Sequence, residues 1–189
     1  MKAILLDMDG VLVDFIGGLH RALNLPWDPD NYRYTPGQYD CFDEIVKHNP
    51  DKLRSVAPIY LTSDKREFWA NLEWEKFGRK YLEVAQRFKV PIYIFTKPML
   101  RPEAWAGKVD WLQKHIKNGT HGTIIASGPK HLLAKPGHVL IDDKDENVDE
   151  FRANGGQAYL IPQPWNSAHA AAGSDITSDL HMCLDIYLR

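Results

Sequence analysis

The sequence predicts an α/β protein: a parallel sheet covered by helices, with a small, mainly helical cap inserted after the first strand. Short apolar runs recur as AILL (3–6), PIYIFT (91–96), GTIIAS (122–127), HVLIDD (138–143) and QAYLIP (157–162), which is how strands buried on both faces read. Helix-patterned stretches separate the later runs, and alternation of this length implies right-handed βαβ units. Residues 16–88 read differently. They hold Trp27, Trp69 and Trp74, many tyrosines, and Pro26, Pro29 and Pro36, with no convincing buried strand, so the chain divides into a core of 1–15 and 89–189 and a helical cap of 16–88.

Taken in order, Ala3 to Leu6 runs straight into Asp7 and forms the first strand. Within the cap, EFWANLEWEKFGRKYLEVAQRF is mostly helix-forming, with Gly78 weakening its middle. Between the second and third strands, EAWAGKVDWLQKHI places Trp105, Val109, Leu112 and Ile116 at helical spacing. The stretch SGPKHLLAKPG (127–137) has room for one or two turns. ENVDEFRANGG follows the fourth strand, with Val148 and Phe151 on one face and Gly155 as a C-cap. The tail closes with HMCLDIYL, a last short helix.

The 189 residues suit one domain with an insertion and can bury a full core. Lys and Arg total 23 against 25 acids, a formal charge of -2, so no overall basic surface exists to bind nucleic acid nonspecifically. Cys41 and Cys183 lie far apart without a CxxC, which speaks against a disulfide framework or a zinc site and for a reducing compartment. With neither a signal peptide nor an 18-residue apolar stretch, the expectation is a cytoplasmic protein with no membrane partner. The eight histidines show no metal spacing and are expected at the surface.

Ligands of open α/β sheets collect beyond the carboxyl ends of the strands. There the first strand delivers Asp7 and Asp9, the second Thr96 and Lys97, the loop after the third Ser127 and Lys130, and the fourth Asp142 and Asp143. Charges at such a place are costly to desolvate without a cation or a ring of donors. Oxygen ligands of this kind suit a hard divalent ion, as Mg²⁺ is held beside a phosphate, while Thr96 and the lysines suit the phosphate itself. Asp14 is as suited to holding the loop or a helix start as to reaching the metal. Trp165 and Asn166, just past the last strand, are placed for loop anchoring or for the pocket border.

DMDGVLVD resembles the first motif of the haloacid dehalogenase (HAD) superfamily of phosphatases, DxDGxxxD, and Thr96, Lys130 and the Asp142–Asp143 pair resemble its second, third and fourth motifs in order. Within that superfamily the chain is similar to the 5'(3')-deoxyribonucleotidases, whose first motif runs on into an aromatic, as DMDGVLVDF does here, and whose fourth ends in a similar LIDD. The resemblance spans residues 7–143 and implies a HAD-like Rossmannoid three-layer fold whose cap matches the insertion between the first two motifs.

It implies a Mg²⁺-dependent phosphomonoesterase acting on nucleoside monophosphates, with deoxyribonucleotides foremost, through an aspartyl phosphate. Asp7 is then the nucleophile and Asp9 the general acid and base, with Thr96 and Lys130 as catalytic partners; Lys130, directly after a strand, is favoured over Lys135. Asp7, the Asp9 carbonyl and Asp143 hold the metal, with Asp142 beside it. Gly10 allows the sharp turn, Phe15 packs in the core or lies over the base, and Trp69 and Trp74 belong to the core of the cap or one of them stacks on a base. The nucleotidases carry Thr-Ser at the second motif where this chain has Thr96 and Lys97, so Lys97 either binds phosphate or faces solvent. Partners are a small phosphomonoester and a second copy of the chain in a homodimer; no stable nucleic-acid partner is expected. The rival readings are a phosphatase for sugar phosphates or for 3' ends of nucleic acids, and a non-catalytic nucleotide- or protein-binding module.

Overall fold

A computed structural model describes residues 1–28, 41–116 and 120–189; Pro29 and Pro36 of the expected cap lie outside them. Five strands, β1 (Ala3–Leu6), β2 (Ile92–Thr96), β3 (Gly122–Ile125), β4 (His138–Asp142) and β5 (Gln157–Leu160), pair in parallel in the order β3-β2-β1-β4-β5. Strand β1 is the centre because all four of its residues are apolar and buried, so both of its edges can be paired without exposing polar backbone. Ile4 sits opposite Ile92 on one side and Val139 on the other. The main chain continues this ladder one step past the strand, where the Asp7 amide donates to the Ile141 carbonyl at 2.9 Å.

The helices are α1 (Phe15–Ala22), α2 (Cys41–His48), α3 (Ala57–Ser63), α4 (Arg66–Ala70), α5 (Gly78–Gln86), α6 (Pro102–His115), α7 (Asp145–Ala153) and α8 (Thr177–Tyr187). One 3₁₀ turn, Lys130–Leu133, fills the short link before β4. Gly155 follows α7 with φ of +87°, the left-handed C-cap position that glycine occupies at least cost.

Two expectations about the helices change. The helix read across residues 67–88 is broken into α4 and α5, and the connector between them turns to the loop after β1. There the Asp14 amide donates to the Glu73 carbonyl at 3.0 Å and the Glu75 amide to the Leu12 carbonyl at 2.8 Å. Gly78 is required by that approach, since a Cβ would lie 2.6 Å from the Leu12 carbonyl oxygen. Helix α6 is rotated from its expected phase: Ala104, Gly107, Lys108, Trp111 and Leu112 are buried, whereas Val109 is exposed. The apolar stripe reads wrongly because a lysine occupies the centre of the buried face.

The described residues of 16–88 divide between separate packing clusters. Leu19, Leu25, Ile45, Leu53 and Ile59 form an apolar cluster of their own. Trp69, Leu72, Tyr81, Leu82, Val84 and Ala85 join instead the cluster built on Ile4, Leu6, Ile92 and Ile94, where Leu180 and Leu184 of α8 also pack. Histidines are not all superficial either: His20 and His138 are buried, and a ring nitrogen of each lies against a carbonyl, of Pro26 at 2.7 Å and of Leu133 at 2.9 Å. No helix among the described residues is long and apolar enough to cross a membrane.

Candidate active site

At the carboxyl end of β1 the chain turns through Gly10, whose φ is +69°. A Cβ there would lie 2.3 Å from an Asp143 carboxylate oxygen, so glycine serves both the left-handed backbone and the close passage of the acid. Gln163 Nε2 donates to the Gly10 carbonyl at 2.6 Å, pinning the turn from the far side. Asp14 ends the loop as the N-cap of α1, accepting the Gly17 amide at 2.8 Å and Arg21 at 2.9 Å. It therefore holds the helix start and stands apart from the acidic cluster.

Asp7, Asp142 and Asp143 offer carboxylate oxygens within 4.8 Å of one another, all three buried. Lys130 Nζ bridges two of them, 2.7 Å from Asp7 Oδ1 and 2.6 Å from Asp142 Oδ2. The second Asp142 oxygen accepts the Lys144 amide at 3.0 Å and Asn147 Nδ2 at 2.9 Å, so Asp142 is fully engaged. Asp143 differs. Trp165 Nε1 donates to its Oδ2 at 2.7 Å, while Oδ1 is buried without a hydrogen-bond partner.

Burial pushes the Asp7 carboxyl up to about 7, with Asp142 and Asp9 adding to the effect and Lys130 opposing it. Burial, then Asp142 and Asp7, also raises Asp143 well above the usual carboxylate range. Burial alone would lower Lys130, but Asp142 and Asp7 outweigh it and hold the ammonium above its ordinary value. The cluster thus demands more positive charge than Lys130 supplies. A buried, unpartnered carboxylate oxygen among clustered acids fits an oxygen-liganded divalent ion.

Asp9 lies outside that cluster. Its Oδ2 accepts a bond of 2.5 Å from Lys108 Nζ, which also donates to Thr96 Oγ1 at 3.2 Å and lies 4.9 Å from the centre of the Trp69 ring. Sequence reasoning missed Lys108. Its place between Ala104 and Trp111 marks it only once the phase of α6 is known, and the expected stripe of Trp105, Val109, Leu112 and Ile116 left it outside. Lys97, expected either to bind phosphate or to face solvent, is exposed.

Phe15, half-buried, lines a small cleft with Asp9, Gly10, Ile16, Cys41, Asp143 and Trp165. Its ring stacks on Trp69 at 5.1 Å and 8°. Trp69 is 1% exposed and donates to the Ser63 carbonyl at 2.7 Å, so it backs Phe15 and presents no face to a ligand. Trp74 is not brought to the site: it packs on Trp111 at 4.8 Å and on His115 at 5.8 Å. Lys135 makes no contact with the acids, the place going to Lys130. Trp165 and Asn166 do both tasks foreseen for them, since Asn166 Nδ2 ties the Asp143 and Ile161 carbonyls together at 2.7 Å each while Trp165 borders the cleft.

A five-stranded parallel sheet with these acids and lysines beyond its central strands defines a HAD-type phosphatase. The chain matches the family described as 5' nucleotidase, deoxy (Pyrimidine), cytosolic type C, over residues 1–174, and belongs to it; it is a nucleotidase, a hydrolase of phosphomonoesters. It is 28% identical to the human cytosolic-type 5'(3')-deoxyribonucleotidase over 75% of this chain and 70% of that one. A Vibrio phage KVP40 protein provisionally named a 5'(3')-deoxyribonucleotidase is 26% identical over 76% of this chain and 67% of its own. Among solved structures, a HAD-superfamily hydrolase of Geobacter sulfurreducens shares the fold with a TM-score of 0.55 at 14% identity, over all of this chain and 97% of that one. A HAD hydrolase of Bacillus subtilis, solved bound to magnesium, has the same TM-score at 11% identity, covering 85% of this chain and 86% of that one.

Proposed function

We propose that this chain hydrolyses nucleoside monophosphates, deoxyribonucleotides foremost, with Mg²⁺ as its metal, in the cytoplasm. The observation that carries the reading is the buried set Asp7, Asp142 and Asp143, bridged by Lys130 and left with an open oxygen on Asp143. The names of the human and phage relatives support the substrate class. Phe15, an aromatic ring in the lining of the cleft, supplies a surface for a flat base.

Asp7 is the nucleophile: its carboxylate oxygen forms a bond to phosphorus as the bond from phosphorus to the nucleoside oxygen breaks, which splits one difficult transfer into two. Asp9 gives its proton to that departing oxygen. Asp9 then takes a proton from water as the water oxygen attacks phosphorus, the Asp7–phosphorus bond breaks, and inorganic phosphate leaves. Lys130 offsets charge on Asp7 and on the phosphoryl group, and Thr96 donates to a phosphate oxygen. Asp7, Asp143 and the Asp9 carbonyl would hold Mg²⁺, with Asp142 beside it. When bound, the ion supplies the positive charge that lets a carboxylate approach a phosphate dianion.

The test is phosphate release from 5'- and 3'-monophosphates of ribo- and deoxyribonucleosides and from sugar phosphates, with and without Mg²⁺. Release from nucleotides only with the metal, and none from a folded Asp7→Asn variant, is expected. A fully active Asp7→Asn variant removes the nucleophile, and a preference for sugar phosphates removes the substrate class.

A further inference from the structure

The least expected side chain in the molecule is Lys108, a lysine with none of its side chain exposed. Helix α6 places it by close packing against α4. Gly107 passes so near that a Cβ would lie 2.5 Å from both the Arg66 carbonyl oxygen and Trp69 Cβ. Arg66 and Asp110 clamp the two helices with paired bonds of 2.6 and 2.7 Å, and Trp111 Nε1 donates to the Leu72 carbonyl at 2.8 Å. The stem of Lys108 is thereby fixed before its charge finds a partner. At its tip the ammonium has two oxygens, of Asp9 and Thr96, and the face of Trp69.

An ion pair is a poor way to fasten a helix that is already fastened. Removing an ammonium from water is costly, and replacing a buried pair by apolar residues of similar volume is often neutral or stabilising. A methionine would fill the same space. What a methionine cannot do is hold Asp9: one carboxylate oxygen is tied to Lys108 while the other, Oδ1, is buried with no partner. A carboxyl group held by one oxygen and unpartnered at the other has a single oxygen left for proton exchange.

We infer that Lys108 is the positioning residue of the proton donor, orienting Asp9 so that Oδ1 faces the oxygen leaving phosphorus. The inference rests on the reading of Asp9 as general acid given above. The proton passes from Asp9 Oδ1 to the bridging oxygen as the bond from phosphorus to that oxygen breaks and the bond to Asp7 forms; Lys108 itself exchanges nothing.

A general acid matters in proportion to how badly the leaving group needs a proton. A nucleoside alkoxide needs one, and p-nitrophenolate leaves without one. For Lys108→Met, kcat/KM for a deoxyribonucleoside 5'-monophosphate is expected to fall by roughly 10²-fold or more, the share that acid catalysis ordinarily supplies, while kcat/KM for p-nitrophenyl phosphate falls far less and KM for both changes little. Lys108→Gln, which keeps a donor in reach of Asp9, repeats the comparison with a smaller loss and serves should the methionine variant not fold. Equal losses on the two esters would make Lys108 a phosphate ligand or a structural residue and overturn the inference, as would a rise in KM at constant kcat. A wild-type chain that hydrolyses neither ester removes the role of Asp9, and the inference with it, whereas an active wild type with equal losses sinks the inference alone.

Discussion

The acids of this site behave differently because their neighbours differ. Asp7 and Asp143 are buried beside one another and pushed toward protonation, whereas Asp142 has a partner on each oxygen. A further acid outside the cluster, Glu75, shows the same physics at the hinge of the loop. Burial, with Asp14 adding to it, pushes Glu75 up to about 7 from an ordinary 4.5. The folded chain therefore keeps a proton that the unfolded chain loses, and this stabilisation, whole below pH 4.5, is lost as pH rises to about 7. Glu75→Gln, neutral at every pH, should melt close to the wild type at pH 5 and above it at pH 8. Thermal melts across that range check it, and a gap that does not widen with pH would mean that Glu75 is charged in the folded state throughout. At this scale the sequence was legible where a residue type has one use. Asp7, Asp9 and the Asp142–Asp143 pair were read from their places at the ends of apolar strands, but Lys108 was not, since a lysine inside a helix reads as solvent-facing until the phase of the helix is known.

Among the elements, all five strands were visible because a parallel strand is apolar on both faces and needs no partner to be recognised. Helices were less so. The break between α4 and α5 is set by a tertiary demand, the pairing of residues 73–75 with the loop 12–14, and no local propensity announces it. Gly78 is the only trace, and it reads as a weak spot in one helix when in fact it starts another. Gly78→Ala would force a Cβ against the Leu12 carbonyl and displace the loop that carries Asp9. We expect a loss of about 1–3 kcal/mol in stability and a fall of up to about 10²-fold in kcat, as follows from misplacing a reacting group by an ångström. Denaturant melts and steady-state kinetics on the one variant measure both, and unchanged kinetics would show the loop to be held without the connector.

For the molecule as a whole, the fold places two buried lysines under a bed of acids, and stability and metal binding should be linked. Mg²⁺ at a hundred times its dissociation constant stabilises a protein that binds it only when folded by about 2.7 kcal/mol, which for a chain of this length is roughly 5–10 °C in Tm. Asp143→Asn should abolish that rise while leaving the metal-free melting temperature the same or higher, because the substitution relieves a crowded acid. Calorimetry with and without the ion decides it, and a full shift in the variant would move the metal away from Asp143.

The electrical balance of the pocket has a consequence for what enters it. With Asp9 carrying the proton it is to give up, Asp7, Asp142 and Asp143 in their ionised forms contribute three negative charges, and Lys108 and Lys130 return two positive ones, which leaves −1. One doubly charged cation turns that sum to +1. A phosphate dianion then arrives at a cavity that draws it in rather than a hostile one, and a singly charged ion in the same seat would leave a neutral cavity without that pull.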